Sequence, residues 1–117
     1  MKDFRTLKVW HEAHSFTIAV YKITSSFPKD EIFGLTSQFR RASTSIGLNI
    51  AEGCGRGTDP DFKRFLQIAF GSACETEYCI ILAKDLNYIS EESADFLMNQ
   101  IENIKKMLSS LITRLKN

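Results

Sequence analysis

A chain of 117 residues, 44% hydrophobic and 25% charged, is long enough for one domain that buries its own core without disulfide or metal staples. Fifteen basic against fourteen acidic residues leave a net charge of +1, which excludes the global cationic field of a strong nucleic-acid binder. No apolar run approaches the ~18 residues of a membrane span, and Met1-Lys2-Asp3-Phe4-Arg5 leads into no signal-type stretch, so a cytoplasmic location is expected.

The first helix is predicted from about Leu7 to Ser25, with Val9, Ala13, Phe16, Val20 and Ile23 spaced alternately four and three. Phe27-Pro28 stops it, because the residue before proline is pushed out of the α region. The second runs from about Leu35 to Glu52 with Leu35, Phe39, Ala42, Ile46, Ile50 and Gly53 on one face. Its exit, Gly53-Cys54-Gly55-Arg56-Gly57, permits a left-handed cap. The third begins at Asp59-Pro60, read as an acidic N-cap followed by proline in the first turn. It continues to about Asn87 through Phe62, Leu66, Ala69, Ala73, Ile80 and Ala83. The fourth starts at Ser90, where Glu91 and Glu92 suit the dipole of a first turn. Its seam is Ala94, Leu97, Ile101, Ile104, Leu108, Leu111 and Leu115, and Lys105, Lys106, Arg114 and Lys116 gather toward its end. No alternating strand pattern is present. Connections of roughly two to nine residues favour an up-down-up-down antiparallel four-helix bundle filling one domain, residues 1–117.

Apolar residues exceed what such a bundle hides. Beside its seam the third helix carries Phe65, Ile68, Phe70 and Leu82, and the first carries Trp10, Ile18 and Tyr21. A helix apolar nearly all round is buried nearly all round, so these seven residues are the expected interface of a homo-oligomer. The competing account is scattered surface hydrophobes.

A second stripe runs beside the apolar face of the second helix: Gln38, Arg41, Ser45, Asn49 and Glu52. An edge of amides, guanidinium, hydroxyl and carboxylate is a buried hydrogen-bond network or a binding surface. Arg41 is expected to belong to it and to pair with Glu75 of the third helix, leaving Arg40, about 100° away, to solvent. Arg40, Arg56, Lys63 and Arg64 are the candidate phosphate contacts; the alternative is a solvated charged surface. Residues 1–58 hold eight basic and five acidic side chains, a mild asymmetry that permits a basic patch.

Catalytic and metal signals are thin. Di-iron bundles need Glu-x-x-His pairs, and neither His11 nor His14 lies three residues after a glutamate, so no metal or other cofactor is expected. The glycine cluster follows a helix and lacks Gly-Lys-Ser/Thr, unlike a phosphate loop. Cys54, Cys74 and Cys79 show no CxxC spacing and read as reduced, buried or half-buried thiols. Arg5 and His11 have a spacing seen in helical ribonucleases of the HEPN type, but lack further polar support.

The segment Phe27-Pro28, Glu31, Gly34-Leu35, Gln38, Arg40-Arg41-Ala42, then SIGLNIAEGCGR from Ser45, Phe65-Leu66, Ala69 and GSACETE from Gly71 resembles one known family. It is the four-helix-bundle family encoded in intervening sequences of bacterial 23S ribosomal RNA genes, and the likeness extends forward to Leu7, Val9 and Trp10. That family resembles in fold the accessory variability protein of diversity-generating retroelements. The relationship implies a homopentameric ring, with nucleic-acid or reverse-transcriptase contact in the retroelement members, and supplies no established activity for the others. Gln38, Arg41, Ser45, Asn49, Glu52 and Glu75 match motif positions, which implies a shared job in subunit registration or ligand binding. The expected function is a non-enzymatic homopentameric module contacting structured RNA or a ribonucleoprotein. The alternatives are a scaffold for a protein partner, or a small ribonuclease using Arg5 and His11.

Overall fold

The structure, a computed structural model, describes residues 2–115. A 3-10 turn at Phe4–Thr6 leads into α1 (Lys8–Thr24); a second turn at Lys29–Glu31 precedes α2 (Leu35–Cys54), followed by α3 (Asp59–Asp85) and α4 (Glu91–Arg114). Lys116, expected among the cations ending α4, lies outside the described residues.

Cross-helix contacts fix the direction of each helix. Thr17 Oγ1 donates to the Ser43 carbonyl and Arg40 Nε to Thr24 Oγ1, so residue numbers rise along α1 as they fall along α2. Ser45 meets Ser72 while Gly53 lies against Phe62 and Phe65, and Glu77 meets Lys105 while Lys84 meets Glu91. Each successive pair is therefore antiparallel, and α1 also touches α4, closing an up-down-up-down bundle 43 × 24 × 20 Å in extent. The predicted seams form the core: Phe16, Phe39, Ile46, Ile50, Leu66, Ile80, Leu97, Ile101, Ile104 and Leu108 are fully buried. In α1, however, Ile23 is only half-buried and Thr24 takes the inner position, its hydroxyl returned to the Val20 carbonyl at 2.7 Å.

Three helix ends differ from expectation. The N-cap of α3 is Thr58, whose side chain accepts from the Asp61 N–H; Asp59 is already in the first turn. No described glycine has positive φ, and Gly55 closes α2 in the right-handed region at φ −79°. Gly53 is needed for a different reason: a Cβ there would stand 2.9 Å from Phe65 Cβ, so its bareness lets α2 and α3 approach. The left-handed exit belongs instead to α3. Asn87, at φ 63°, follows the helix while Tyr88 N donates to the Ala83 carbonyl and Asn87 N to that of Lys84, the paired bonds of a Schellman closure.

One exclusion also needs correction. α3 is long and apolar enough to cross a membrane by length and mean hydropathy (1.2 over its richest window). Phe65, Leu66, Ala69, Ala73, Cys79 and Ile80, which raise that value, are buried in the core, and 44% of the window is buried in all.

Candidate functional site

The polar stripe of α2 divides into a knot and loose ends. Asn49 Nδ2 donates to the Ser45 carbonyl at 2.8 Å and to Ser45 Oγ at 2.9 Å, and the Ser45 and Ser72 hydroxyls are hydrogen-bonded at 2.8 Å. The Ser72 carbonyl accepts from the fully buried Thr76 hydroxyl. This knot ties α2 to α3 and satisfies polar groups that burial would otherwise penalise. Gln38, Arg41, Glu52 and Glu75 stay exposed. Glu52 pairs with Arg56 at 3.5 Å along the helix. Arg41 and Glu75 form no ion pair within 4 Å among the described residues, so the expected bridge is not made. Gln38 and Glu75 instead line a groove of about 270 Å³ between α2 and α3, together with Tyr78, Cys79 and Leu82.

Arg40 and Arg41 exchange their expected roles. Arg40 is half-buried: Nε donates to Thr24 Oγ1 at 2.8 Å, Nη2 to the Tyr21 carbonyl at 3.3 Å, and Cζ stands 4.7 Å from the Tyr21 ring centre. It clips α2 to the last turn of α1. Arg56 lies at the far end of α2, roughly 20 Å along the axis at 1.5 Å per residue, so Arg40 leaves the candidate phosphate site.

The other three cations stay near one end of the bundle. Arg56 and Arg64 place their guanidiniums 4.8 and 4.5 Å from the Phe65 ring centre, and Phe65 itself is only 9% exposed. Phe65 is therefore a platform for arginines and not the interface residue the sequence suggested. Lys63 is half-buried with no ion pair among the described residues, while Arg64 meets Asp61 at 3.9 Å. Sequence reading missed Lys2, which joins this end over the Phe62 ring, 3.7 Å from Asp59, with its backbone N–H on the Cys54 carbonyl. Acids interleave these cations, so the end presents ordered guanidiniums without a large net charge.

Of the expected interface residues, Ile18, Tyr21 and Ile68 are exposed at 44, 45 and 42%, whereas Trp10, Phe70 and Leu82 are half-buried. Tyr78, 62% exposed, and Ile81, 44% exposed, are further outward apolar residues of α3. Phe33, 95% exposed, lies in the turn before α2, where no helical period applies to mark it in advance.

Around Trp10 the front of the chain is ordered. His14 stacks on the indole at 5.0 Å and His11 meets its edge. His11 Nε2 lies 2.7 Å from the Arg5 carbonyl, which in the neutral ring puts the proton on Nε2 as donor. The Arg5 guanidinium pairs with Asp3 at 3.1 Å. That pair, and above all the Arg5 N–H on Asp3 Oδ1, holds the Asp3 carboxyl below its ordinary value. Burial pushes the Cys54 and Cys79 thiols up, while Cys74 is exposed, contrary to the half-buried expectation. Among the described residues no three His, Cys, Asp or Glu side chains gather as a metal set.

Residues 5–110 match the family model described as 23S rRNA-intervening sequence protein. Among solved structures the chain is similar to a Bacteroides thetaiotaomicron VPI-5482 protein described as of unknown function, from the S23 ribosomal protein family. The two share 32% identity over 89% of this chain and 97% of that one, with a TM-score of 0.80. No curated protein matches.

Proposed function

The chain belongs to the 23S rRNA-intervening sequence protein family, and from that premise we propose that it is a non-catalytic, homo-oligomeric binding module, a ring of five that contacts structured RNA or a ribonucleoprotein in the cytoplasm. The observation that carries assembly is the outward apolar surface on two helices whose inner faces are already filled. Ile18 and Tyr21 on α1 and Ile68, Tyr78 and Ile81 on α3 lie outside the core of one copy. Exposed apolar side chains on the outer sides of two helices are what subunit contacts cover. The RNA reading is supported by the family's description and by Arg56 and Arg64, held in place by the Phe65 ring so that less side-chain entropy is lost on meeting phosphate. A ring would repeat that pair on one rim, offsetting the near-neutral charge of a single copy.

Light scattering on the purified chain tests assembly, with a fivefold subunit mass expected; a monomer at high concentration removes the ring. Retardation of a 23S-derived RNA at two salt concentrations tests binding, with retention falling steeply as salt rises and weakening in Arg56→Ala/Arg64→Ala. Retention indifferent to both salt and these arginines removes the RNA site. A second reading is favoured by one contact, the tether of His11 to the Arg5 carbonyl, which leaves Nδ1 of the neutral ring unprotonated and able to act as a base. Time-dependent RNA cleavage abolished by His11→Ala supports a ribonuclease. Absence of cleavage, with the Arg5 guanidinium committed to Asp3, rejects it.

A further inference from the structure

The start of α1 and the last turns of α4 enclose a groove of about 350 Å³ whose floor is Leu7, Val9, Met107 and Leu111. Lys8, Lys106 and Arg114 stand exposed around it. Six cations meet a carboxylate within 4 Å, Lys2, Arg5, Arg56, Arg64, Lys84 and Lys105, whereas among the described residues Lys22, Lys29, Arg40, Arg41 and Lys63 do not and are spread over other parts of the bundle. Lys8, Lys106 and Arg114 have no such partner among the described residues. The end of α4 favours Lys106 and Arg114 through its dipole, but Lys8 sits in the first turn of α1, which contains no acid and where a cation is disfavoured. Local helix energetics therefore do not explain why three positive charges converge on one aliphatic trough.

We propose that this groove docks an acidic amphipathic helix of a partner protein, its apolar side chains entering the trough and its carboxylates meeting the three cations. The charge of the rim selects the sign of the occupant, and the floor selects its character. A deformable Met107 beside Leu7 and Leu111 suits helix-in-groove recognition. From Lys106 to Arg114 the axis of α4 advances about 12 Å, two turns of a docked helix and room for apolar anchors at i and i+3 or i+4. Nucleic acid fits less well, because the floor has no aromatic ring on which a base could stack. A second copy could offer its own acidic start of α4, where Glu92 and Asp95 adjoin the exposed Phe96. That segment is partly satisfied at home, with Glu91 on Lys84 at 3.8 Å. The inference does not rest on the ring or on RNA binding: the groove shares its end of the bundle with Arg56 and Arg64 but is lined by none of the residues assigned to either.

The probe is a short fluorescent peptide with leucines at helical three- and four-residue spacing and glutamates elsewhere, its anisotropy titrated with the full chain. Saturable micromolar binding is expected, weakened about tenfold or more by Lys8→Glu/Lys106→Glu and also by Leu111→Ser, with lysines in place of the glutamates abolishing it. Circular dichroism and light scattering on the same variants should be unchanged. RNA retention through Arg56 and Arg64 is read on the same samples, so failure of one site is told from failure of the other. The proposal is overturned by absence of saturation at millimolar peptide, or by equal affinity of the charge-reversed chain. It is likewise overturned if a uridine-rich oligonucleotide displaces the peptide, which assigns the groove to RNA. Loss of subunit mass in Lys8→Glu/Lys106→Glu, restored by mixing with Glu92→Lys/Asp95→Lys, overturns it in favour of a second copy.

Discussion

Glu31 holds two distant parts of the chain with one carboxylate. Oε1 accepts the Leu35 N–H at 3.0 Å at the entry to α2, and Oε2 accepts the Tyr88 hydroxyl at 2.8 Å from the turn between α3 and α4. Both bonds favour the ionised form, the Leu35 amide first and Tyr88 second, and hold the group below its ordinary 4.5. On acidification the unfolded chain therefore takes the proton before the native one. The stability this group contributes is complete above about pH 4.5 and is lost as pH falls through the lower native value. The same bond raises Tyr88 above 10.0, so its share is present below that pH and lost as pH rises through the native value. Urea midpoints measured from neutral pH into acid should show Glu31→Gln less stable at neutrality yet flatter on the acid limb, with Tyr88→Phe intermediate. An unchanged acid limb in Glu31→Gln would assign acid lability elsewhere.

Between α2 and α3 the decisive contacts are short side chains. Gly53 leaves no room for a methyl group, and the Ser45–Ser72 bond sits where the helix backbones come close enough for two hydroxyls to reach. A double-mutant cycle over Ser45→Ala and Ser72→Ala should return a coupling of about 1 kcal/mol. The same cycle over Arg41 and Glu75, both exposed and without an ion pair among the described residues, should return none. Reversal of these two results would restore the ion pair read from the sequence. The stripe was legible as a period, yet only its buried members became a network. Gln38 and Glu75 share its edge but lie where α2 and α3 leave a groove in place of a contact, and Arg41 stays in solvent.

At the scale of the molecule, inner and outer apolar faces behave differently under substitution. Ile68→Glu/Ile81→Glu changes side chains more than 40% exposed, so helicity and the stability of dilute protein should move by less than about 1 kcal/mol. If α3 is a subunit face, the same variant should collapse the mass seen by light scattering toward one subunit. Retention of the wild-type mass would move the interface away from α3. Phe65→Glu, by contrast, is expected to unfold the chain, because that ring is buried beneath two arginines.

The number of helices, their seams and most of their boundaries were written in the sequence, because the 3.6-residue period and capping chemistry act within one turn of the chain. Every residue read as the inner face of α2 and α3 is buried, although Phe65, Thr76 and Cys79 join that core unforeseen, and α4 begins after Ser90, whose side chain caps it. Partners of polar side chains were not legible in this way. Arg40 and Arg41 lie about 100° apart on one helix, and the period cannot say which flank meets a neighbour. That was decided by the last turn of α1, which brought the Thr24 hydroxyl, the Tyr21 carbonyl and the Tyr21 ring to Arg40 and left Arg41 in solvent. The convergence of Lys8 with Lys106 and Arg114, about a hundred residues apart in sequence, is likewise a product of bundle closure. Local periodicity sets which face a helix buries; only the placement of the next helix sets what that face's edges touch.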